Sequence, residues 1–364
     1  MRVAYVHDWL VTYRGGEKVL EALLELYPEA PVYTLFYAPS MMPESIRRRN
    51  IIVPKLLNRF KFLRKALLPI LPAAIEALPL EDYDLVISTS SCVAKGVMIG
   101  PHAKHLSYVH SPMRYIWDQR RHYLSGKRSF SLKDFLIHSL SPRLRIWDVT
   151  SNTKVDRFIA NSRFVATRIA RYYGRDAGVI HPPVAIERFF PSSESVKGDY
   201  FLVAGAFVNY KRFDLAISAC EALGLRIKVI GDGPDEKRLR KFAGANTEFV
   251  IKPSGEEWVK LFRGARALIF PGVEDFGITA IEALAAGTPL IALRAGGALD
   301  FVDENSTGVF FDHESVESLI AAIQTFQGMT FDRAVLKTSA QRFSKDAFLN
   351  KIRAELSALK DSHR

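Results

Sequence analysis

Two carboxylates eight positions apart, Glu274 and Glu282, bracket the stretch best equipped for chemistry: Pro271-Gly272-Val273-Glu274-Asp275-Phe276-Gly277-Ile278-Thr279-Ala280-Ile281-Glu282. Gly277-Ile278-Thr279 opens a helical pattern whose first amides lack intrahelical partners, and such amides bind anions. Glu274 then lies in the loop beside that site. Glu282, two turns into the helix, can reach hydroxyls further along the same ligand. A diphosphate flanked by two polyols, a nucleotide sugar, fits this pattern. A plainer role also fits: Glu274 and Asp275 complementing the helix dipole, with Glu282 a solvated helix residue.

Three further groups have the right residue types. Lys211 and Arg212 follow the strand end at Gly205. A departing nucleoside diphosphate leaves growing negative charge, and without a metal the protein must supply fixed positive groups. Gly15-Gly16 sits between the strand ending at Asp8-Trp9-Leu10 and a helix beginning at Glu17-Lys18, and adjacent glycines let backbone amides approach an oxyanion. His110 stands at the carboxyl end of a strand and opens His110-Ser111-Pro112-Met113-Arg114-Tyr115-Ile116-Trp117-Asp118. A solvated cation pair, a tight turn and a structural histidine are the respective alternatives.

The elements that must position these groups alternate between strands and helices. In the first half the apolar patterns predict strands at Arg2–His7, Leu85–Ser88, His105–Val109 and Phe158–Ala160. A helix is expected at Glu17–Leu26, and Asn161-Ser162 can cap another. After the rigid His181-Pro182-Pro183 the series restarts: strand Tyr200–Gly205, helix Phe213–Ala222, strand Arg226–Ile230, helix Glu236–Ala243 and strand Thr247–Ile251. Helix Glu256–Arg263, strand Ala267–Phe270, helix Ile278–Ala286 and strand Leu290–Ala292 continue it. Such alternation means parallel sheets with right-handed crossovers. The expected architecture is α/β, with two doubly wound Rossmann-like domains facing a central cleft. Residues 1–190 form the first domain and 191–345 the second. The helix Lys345–Leu359 heads a tail, 346–364, expected to pack back on the first domain.

The segment EDFGITAIEALAAGTP from Glu274 to Pro289, with Ala295-Gly296-Gly297 and Thr307-Gly308-Val309 beyond it, resembles the E-x7-E signature of the retaining GT-B glycosyltransferases, family four. The resemblance runs from residue 1 to about 345. It implies that Glu274 binds the donor sugar and Glu282 the ribose, with backbone contacts from Phe276, Gly277, Ile278 and Thr279. It makes Gly205, Gly15 and Gly16 donor-side positions, with Asp8 and Arg114 on the acceptor side. The family usually carries an Arg beside the strand-end glycine; Ala206 stands there, so Arg212 is the expected replacement. The His110 segment is similar to the HxPxRYxWD pattern of a subgroup associated with mannosyl transfer in bacterial surface polysaccharides, which puts His110 near the reacting carbon. Together these imply a hexosyltransferase using a nucleotide-sugar donor, GDP-mannose first, and a lipid-linked saccharide acceptor, with no cofactor and no metal. A UDP-sugar donor (glucosyl, galactosyl or N-acetylhexosaminyl) and a same-fold epimerase are the alternatives within enzymes.

Composition narrows the remaining classes. The chain has 364 residues, 48% hydrophobic and 24% charged, which is globular and long enough for two domains. No apolar run approaches the roughly 20 residues of a spanning helix. Cys92 and Cys220 have no neighbour at metal-ligand or CxxC spacing. Gly231-Asp232-Gly233-Pro234 lacks the full glycine fingerprint of a nicotinamide site, and Asp82-Tyr83-Asp84 reads as a turn before a strand. Net charge is +11. Residues 1–190 hold 28 Lys+Arg against 16 Asp+Glu (+12), and the rest 22 against 23 (−1), so the whole excess belongs to the first domain. That asymmetry suits an anionic partner. A nucleic-acid-binding protein is one reading, although no nucleic-acid motif is present. The other is membrane lipid: Lys55–Leu68 carries Leu56, Phe60, Leu63 and Leu67 at helical spacing among five cations, which predicts an interfacial helix ended by Pro69 and Pro72. Arg120, Arg121, Lys127, Arg128, Arg143 and Arg145 form a second basic region. The expected location is cytoplasmic, peripheral at the inner face of the membrane.

Overall fold

The computed structural model describes residues 1–64, 66–114, 116–117, 132–190 and 198–361, with backbone alone for 132–140. Lys65, Asp118, Arg120, Arg121, Lys127 and Arg128 of the sequence reading lie outside the described residues. The chain divides into two compact units, Met1–Pro183 with Phe348–Arg364, and Val184–Ala347. The boundary expected at 190 falls instead after Pro183, because Val184, Ile186 and Phe189 are buried in the second unit's core.

In the first unit β1 (Val3–His7), β2 (Val32–Thr34), β3 (Ile51–Ile52), β4 (Leu85–Ser90), β5 (Lys104–Val109), β6 (Arg157–Ala160) and β7 (Gly178–Val179) form one sheet in the order β3-β2-β1-β4-β5-β6-β7. Every pairing is parallel. Strands buried on both faces need apolar residues at successive positions, and alternate side chains then enter different layers. In β1 Tyr5 packs with Leu20, Leu85 and Ile87, whereas Ala4 and Val6 pack with Leu35, Phe36 and Val86. The helix Lys345–Asp361 belongs to the first of these layers: Phe348, Leu349, Ile352, Leu356 and Leu359 are buried beside Tyr5 and Tyr108.

The second unit repeats the plan. Its strands β8 (Tyr200–Ala206), β9 (Arg226–Asp232), β10 (Thr247–Ile251), β11 (Leu268–Phe270), β12 (Leu290–Leu293) and β13 (Gly308–Phe311) run parallel in the order β10-β9-β8-β11-β12-β13. Leu202, Ala204 and Phe270 enter one layer, and Phe201, Val203 and Ile269 the other. Strand order reverses between β1 and β4, and again between β8 and β11. Side chains from the loops at such a reversal point into a crevice.

The helix Phe213–Ala222 has the sequence-read limits, those expected at Glu256–Arg263, Ile278–Ala286 and Lys345–Leu359 fall within two residues of theirs, and Ser162 caps Arg163–Tyr173 by accepting the Val165 amide at 3.0 Å. The helix expected at Glu17–Leu26 spans Gly15–Leu23 instead. Two stretches differ more. The Glu236 helix stops at Leu239, well before Ala243. The stretch Lys55–Leu68 is not one helix: Lys55–Asn58 is a single turn, and Lys61–Leu63 and Leu68–Ile70 are 3-10 turns. Asn58 accepts the Tyr37 amide at 2.8 Å and Phe60 leaves the helical region at φ −98°, ψ 19°. A side chain recruited by a remote amide competes with helix continuation. Asp84 opens β4 by accepting the Arg2 amide at 2.5 Å, the turn role read for Asp82-Tyr83-Asp84.

Ile352→Ala, although near the end of the chain, should destabilise the first unit by about 2–5 kcal/mol, since it empties a fully buried core position. Urea unfolding with a probe in the first unit checks this; a loss under about 0.5 kcal/mol would contradict it.

Candidate active site

In the second unit the chain leaves β8 at Gly205 and Ala206 and turns through Asn209–Lys211. Lys211 folds back over the strand end: Gly205 takes φ +128°, a backbone conformation that strains any side chain, and a Cβ there would stand 2.8 Å from Lys211 Nζ and push it aside. Lys211 is 8% exposed, and its Nζ lies 2.8 Å from Glu274 Oε1. Glu274 follows β11, and its carbonyl accepts the Gly297 amide at 2.8 Å. The ion pair therefore joins the two loops at the reversal of strand order.

Glu274 leads into the helix Ile278–Ala285, capped by Gly277 at φ +123° with no side-chain cap. A Cβ at 277 would lie 2.7 Å from the Phe270 ring. The Ala280 and Ile281 amides both bond to the Gly277 carbonyl, which leaves those of Ile278 and Thr279 ahead of the first helical bonds. Phe276 is buried, its ring 5.8 Å from that of Phe301 and 5.6 Å from that of Phe343; only its backbone can serve a ligand. Glu282 is 8% exposed, and its Oε2 accepts from Trp258 Nε1 at 3.1 Å. Trp258, on the helix Gly255–Gly264, packs against Phe262 at 5.3 Å. The sequence reading missed it, because a tryptophan at helical spacing looks like a core residue.

Arg212 does not join this group. It takes a left-handed conformation, φ 51°, and its guanidinium is held by Asp214 at 3.3 Å and Glu314 at 2.9 Å. Of the two cations read together in the sequence, Lys211 is the one that lies beside Glu274 at the strand end.

In the first unit the Asp8 carboxylate is engaged within the scaffold. Its two oxygens accept the amides of Ser91, Cys92, Val93 and Ala94 at 2.6–2.9 Å and the Ser91 hydroxyl at 3.1 Å, which ties β1 to β4 at that sheet's own reversal point. Gly15 and Gly16 open the helix Gly15–Leu23, where Glu17 accepts the Arg14 amide at 2.9 Å. His110 packs on this helix start: Nε2 would lie 3.5 Å from a Cβ at Gly16 and is buried with no hydrogen-bond partner. Arg114 Nε donates to Ser111 Oγ at 3.3 Å, which also receives Arg168.

Two buried residues beside His110 had no sequence signal. His7 Nδ1 lies 2.6 Å from Thr89 Oγ1, and its Nε2 4.0 Å from Glu17 Oε1. Burial, then the nearby His110, holds His7 down at about 3. Burial, then Arg114, holds His110 at about 4. Burial pushes the Glu17 carboxyl up, against the amide bonds it accepts from Glu17 and Arg14. Both imidazoles are therefore neutral hydrogen-bonding groups near pH 7. Trp117 of the His110 segment is a peg: it donates to Asp148 at 2.8 Å, and Asp148 pairs with buried Lys95 at 3.1 Å. Among the described residues no three His, Cys, Asp or Glu are placed to hold a metal ion.

Residues 13–188 match the family model for Glycosyltransferase Family 4, and residues 185–342 that for Glycosyl transferases group 1. Between them the two models span residues 13–342, which places the chain in the glycosyltransferase group. An uncharacterized glycosyltransferase of Methanocaldococcus jannaschii is 28% identical over 58% of this chain and 61% of its own length. A D-inositol 3-phosphate glycosyltransferase of Saccharomonospora viridis is 28% identical over 57% of each. The chain thus spans about three fifths of these curated relatives. The O-antigen chain mannosyltransferase C of Escherichia coli is 29% identical over 36% of this chain and 37% of its own. The solved structure of Anabaena HepE in complex with UDP shares the fold, with a TM-score of 0.72 at 15% identity over 98% of this chain and all of that one. The chain is thus α/β with two Rossmann-like parallel-sheet domains of the GT-B type.

Acid should destabilise the first unit early. His7, His105 and His110 fold with values of about 3, 4 and 4 against 6.5 unfolded. The unfolded chain therefore takes up protons that the folded unit refuses, and stability falls as pH drops from about 6.5 toward 4. Melting temperatures across that range check this, and His7→Gln should flatten the fall; an unchanged slope in that variant would contradict the assignment.

Proposed function

We propose that the protein is a retaining, metal-independent glycosyltransferase. It moves a hexose from a nucleoside diphosphate donor, GDP-mannose first, to a lipid-linked saccharide at the inner face of a bacterial membrane during surface-polysaccharide synthesis. The observation that carries this reading is the Lys211–Glu274 pair at the β8/β11 reversal, beside a helix start whose leading amides precede any helical bond. A buried ammonium paired with a carboxylate can exchange that partner for a phosphate oxygen, because both offer anionic oxygen to the same donor. Donor arrival then places Lys211 and the Ile278 and Thr279 amides on the diphosphate. Glu274 is released to accept hydrogen bonds from the sugar, and Glu282 takes the ribose hydroxyls.

The bond from the anomeric carbon to the diphosphate oxygen breaks, and the acceptor oxygen forms its bond from the same face. The acceptor proton passes to the departing phosphate. No side-chain nucleophile is needed, and the charge that builds on the diphosphate is met by preorganised donors. In the first unit we assign Gly15, Gly16 and His110 to the donor, the neutral Nε2 being a partner for a sugar hydroxyl, and Arg114 to the acceptor. The subgroup pattern around His110 and the relative acting in O-antigen chains support mannose. The UDP held by HepE supports a uridine donor as the second reading.

A panel of GDP- and UDP-sugars with a lipid-linked acceptor, read by NMR of the product's anomeric coupling, tests the reading. Retention, and turnover indifferent to chelators, are expected. Release of an epimerised nucleotide sugar without acceptor would overturn it. Lys211→Ala should lower kcat about 10²–10³-fold. Trp258→Phe, which removes the N–H that Glu282 accepts together with part of the indole ring, should raise donor KM about tenfold with kcat little changed; an equal loss in kcat would assign Trp258 another role.

A further inference from the structure

The first unit carries an apolar patch that its own core does not use. Leu56, Phe60, Phe62, Leu63 and Ile70 are 73%, 48%, 84%, 56% and 50% exposed. The segment is pinned from beneath: Leu57, Leu67 and Leu68 pack on the cluster containing Leu71 and Ile75, and Asn58 holds the Tyr37 amide. The segment is thus anchored to the unit while these side chains face outward. Lys55, Arg59, Lys61 and Arg64 alternate with the exposed residues, and Lys61 Nζ lies 5.7 Å from the centre of the Phe62 ring. Among the described residues none of these four cations has a carboxylate within ion-pair distance. From Ser45 to Ile75 the sequence contains no Asp or Glu at all.

Exposed aliphatic and aromatic side chains ringed by unpaired cations need a partner that is anionic at its surface and apolar beneath. The geometry points to the face of an anionic lipid bilayer as the occupant, with Phe62 and Leu63 entering the acyl boundary and Arg59, Lys61 and Arg64 among the headgroups. A second copy of the chain would bring this acid-free segment against itself and set cation on cation. A nucleic-acid backbone would satisfy the cations but leave Leu56, Leu63 and Ile70 no apolar partner. The surface rests on the lipid-linked acceptor proposed above only for its purpose; its chemistry stands without it. It also replaces the continuous helix predicted from sequence: the outward set includes Phe62, which lies off the helical stripe, and excludes Leu67.

Flotation of the full chain with phosphatidylcholine vesicles, with and without phosphatidylglycerol, tests the inference. Binding should require phosphatidylglycerol and weaken as salt is raised. R59S/K61S/R64S should lower the partition coefficient at least about tenfold, each headgroup-level cation contributing up to about fivefold. F62S/L63S, at exposed positions and with an unchanged melting temperature, should lower it as well. Phe62→Trp should show a blue-shifted emission on anionic vesicles. Equal binding to both vesicle types, or no loss in F62S/L63S, overturns the inference. So does duplex DNA binding that R59S/K61S/R64S abolishes and F62S/L63S leaves intact, or self-association that F62S/L63S removes. GDP titration without vesicles reports separately on the donor reading, so failure of either is seen on its own.

Discussion

The contact between Lys211 Nζ and Glu274 Oε1 is the constraint around which the second unit is arranged. Two charges held largely away from water need each other's geometry to be accurate. That accuracy comes from β8 and β11 lying side by side, from a glycine at 205 that leaves room for the ammonium, and from the Gly297 amide fixing the Glu274 carbonyl. In the proposed reading that pair is exchangeable, since an anion reaching the ammonium competes for it with oxygen of its own.

The first unit uses its equivalent position differently. At the reversal between β1 and β4, Asp8 spends both oxygens on four successive amides and a hydroxyl. A carboxylate so satisfied is a strut, and it frees the neighbouring surface for His110 and the Gly15-Gly16 helix start. Two sheets of the same topology therefore have unlike centres, one sealed by internal hydrogen bonds and one held by a single ion pair. The neutral, buried His7 and His110 follow the same logic: a dry pocket favours uncharged imidazole, which suits hydroxyl groups rather than phosphate.

The fold was legible because parallel strands covered on both faces leave unbroken apolar runs, as in Tyr200–Gly205 and Leu290–Leu293, separated by helical spacing. Edge strands such as Ile51–Ile52 and Gly178–Val179 are too short to leave such a trace. In the site, the Glu274 and Glu282 spacing was readable because both lie on one local element. The partners of Asp8 and Glu282 are remote in sequence, so neither the Ser91–Ala94 amides nor Trp258 could be named. Arg212 misled for the opposite reason: it adjoins Lys211 in sequence, but its left-handed backbone delivers the guanidinium to Asp214 and Glu314. The basic stretch from Lys55 was right in composition and wrong in form, since the bond that Asn58 Oδ1 accepts from the Tyr37 amide and the turn at Phe60 break the helix its periodicity implies.

The most direct test of the central claim is electron density for GDP or UDP in crystals of the chain. The account predicts diphosphate oxygens within hydrogen-bond reach of Lys211 Nζ and of the Ile278 and Thr279 amides, with the Lys211–Glu274 contact opened. Nucleotide bound elsewhere, or bound there with that contact intact, would contradict it.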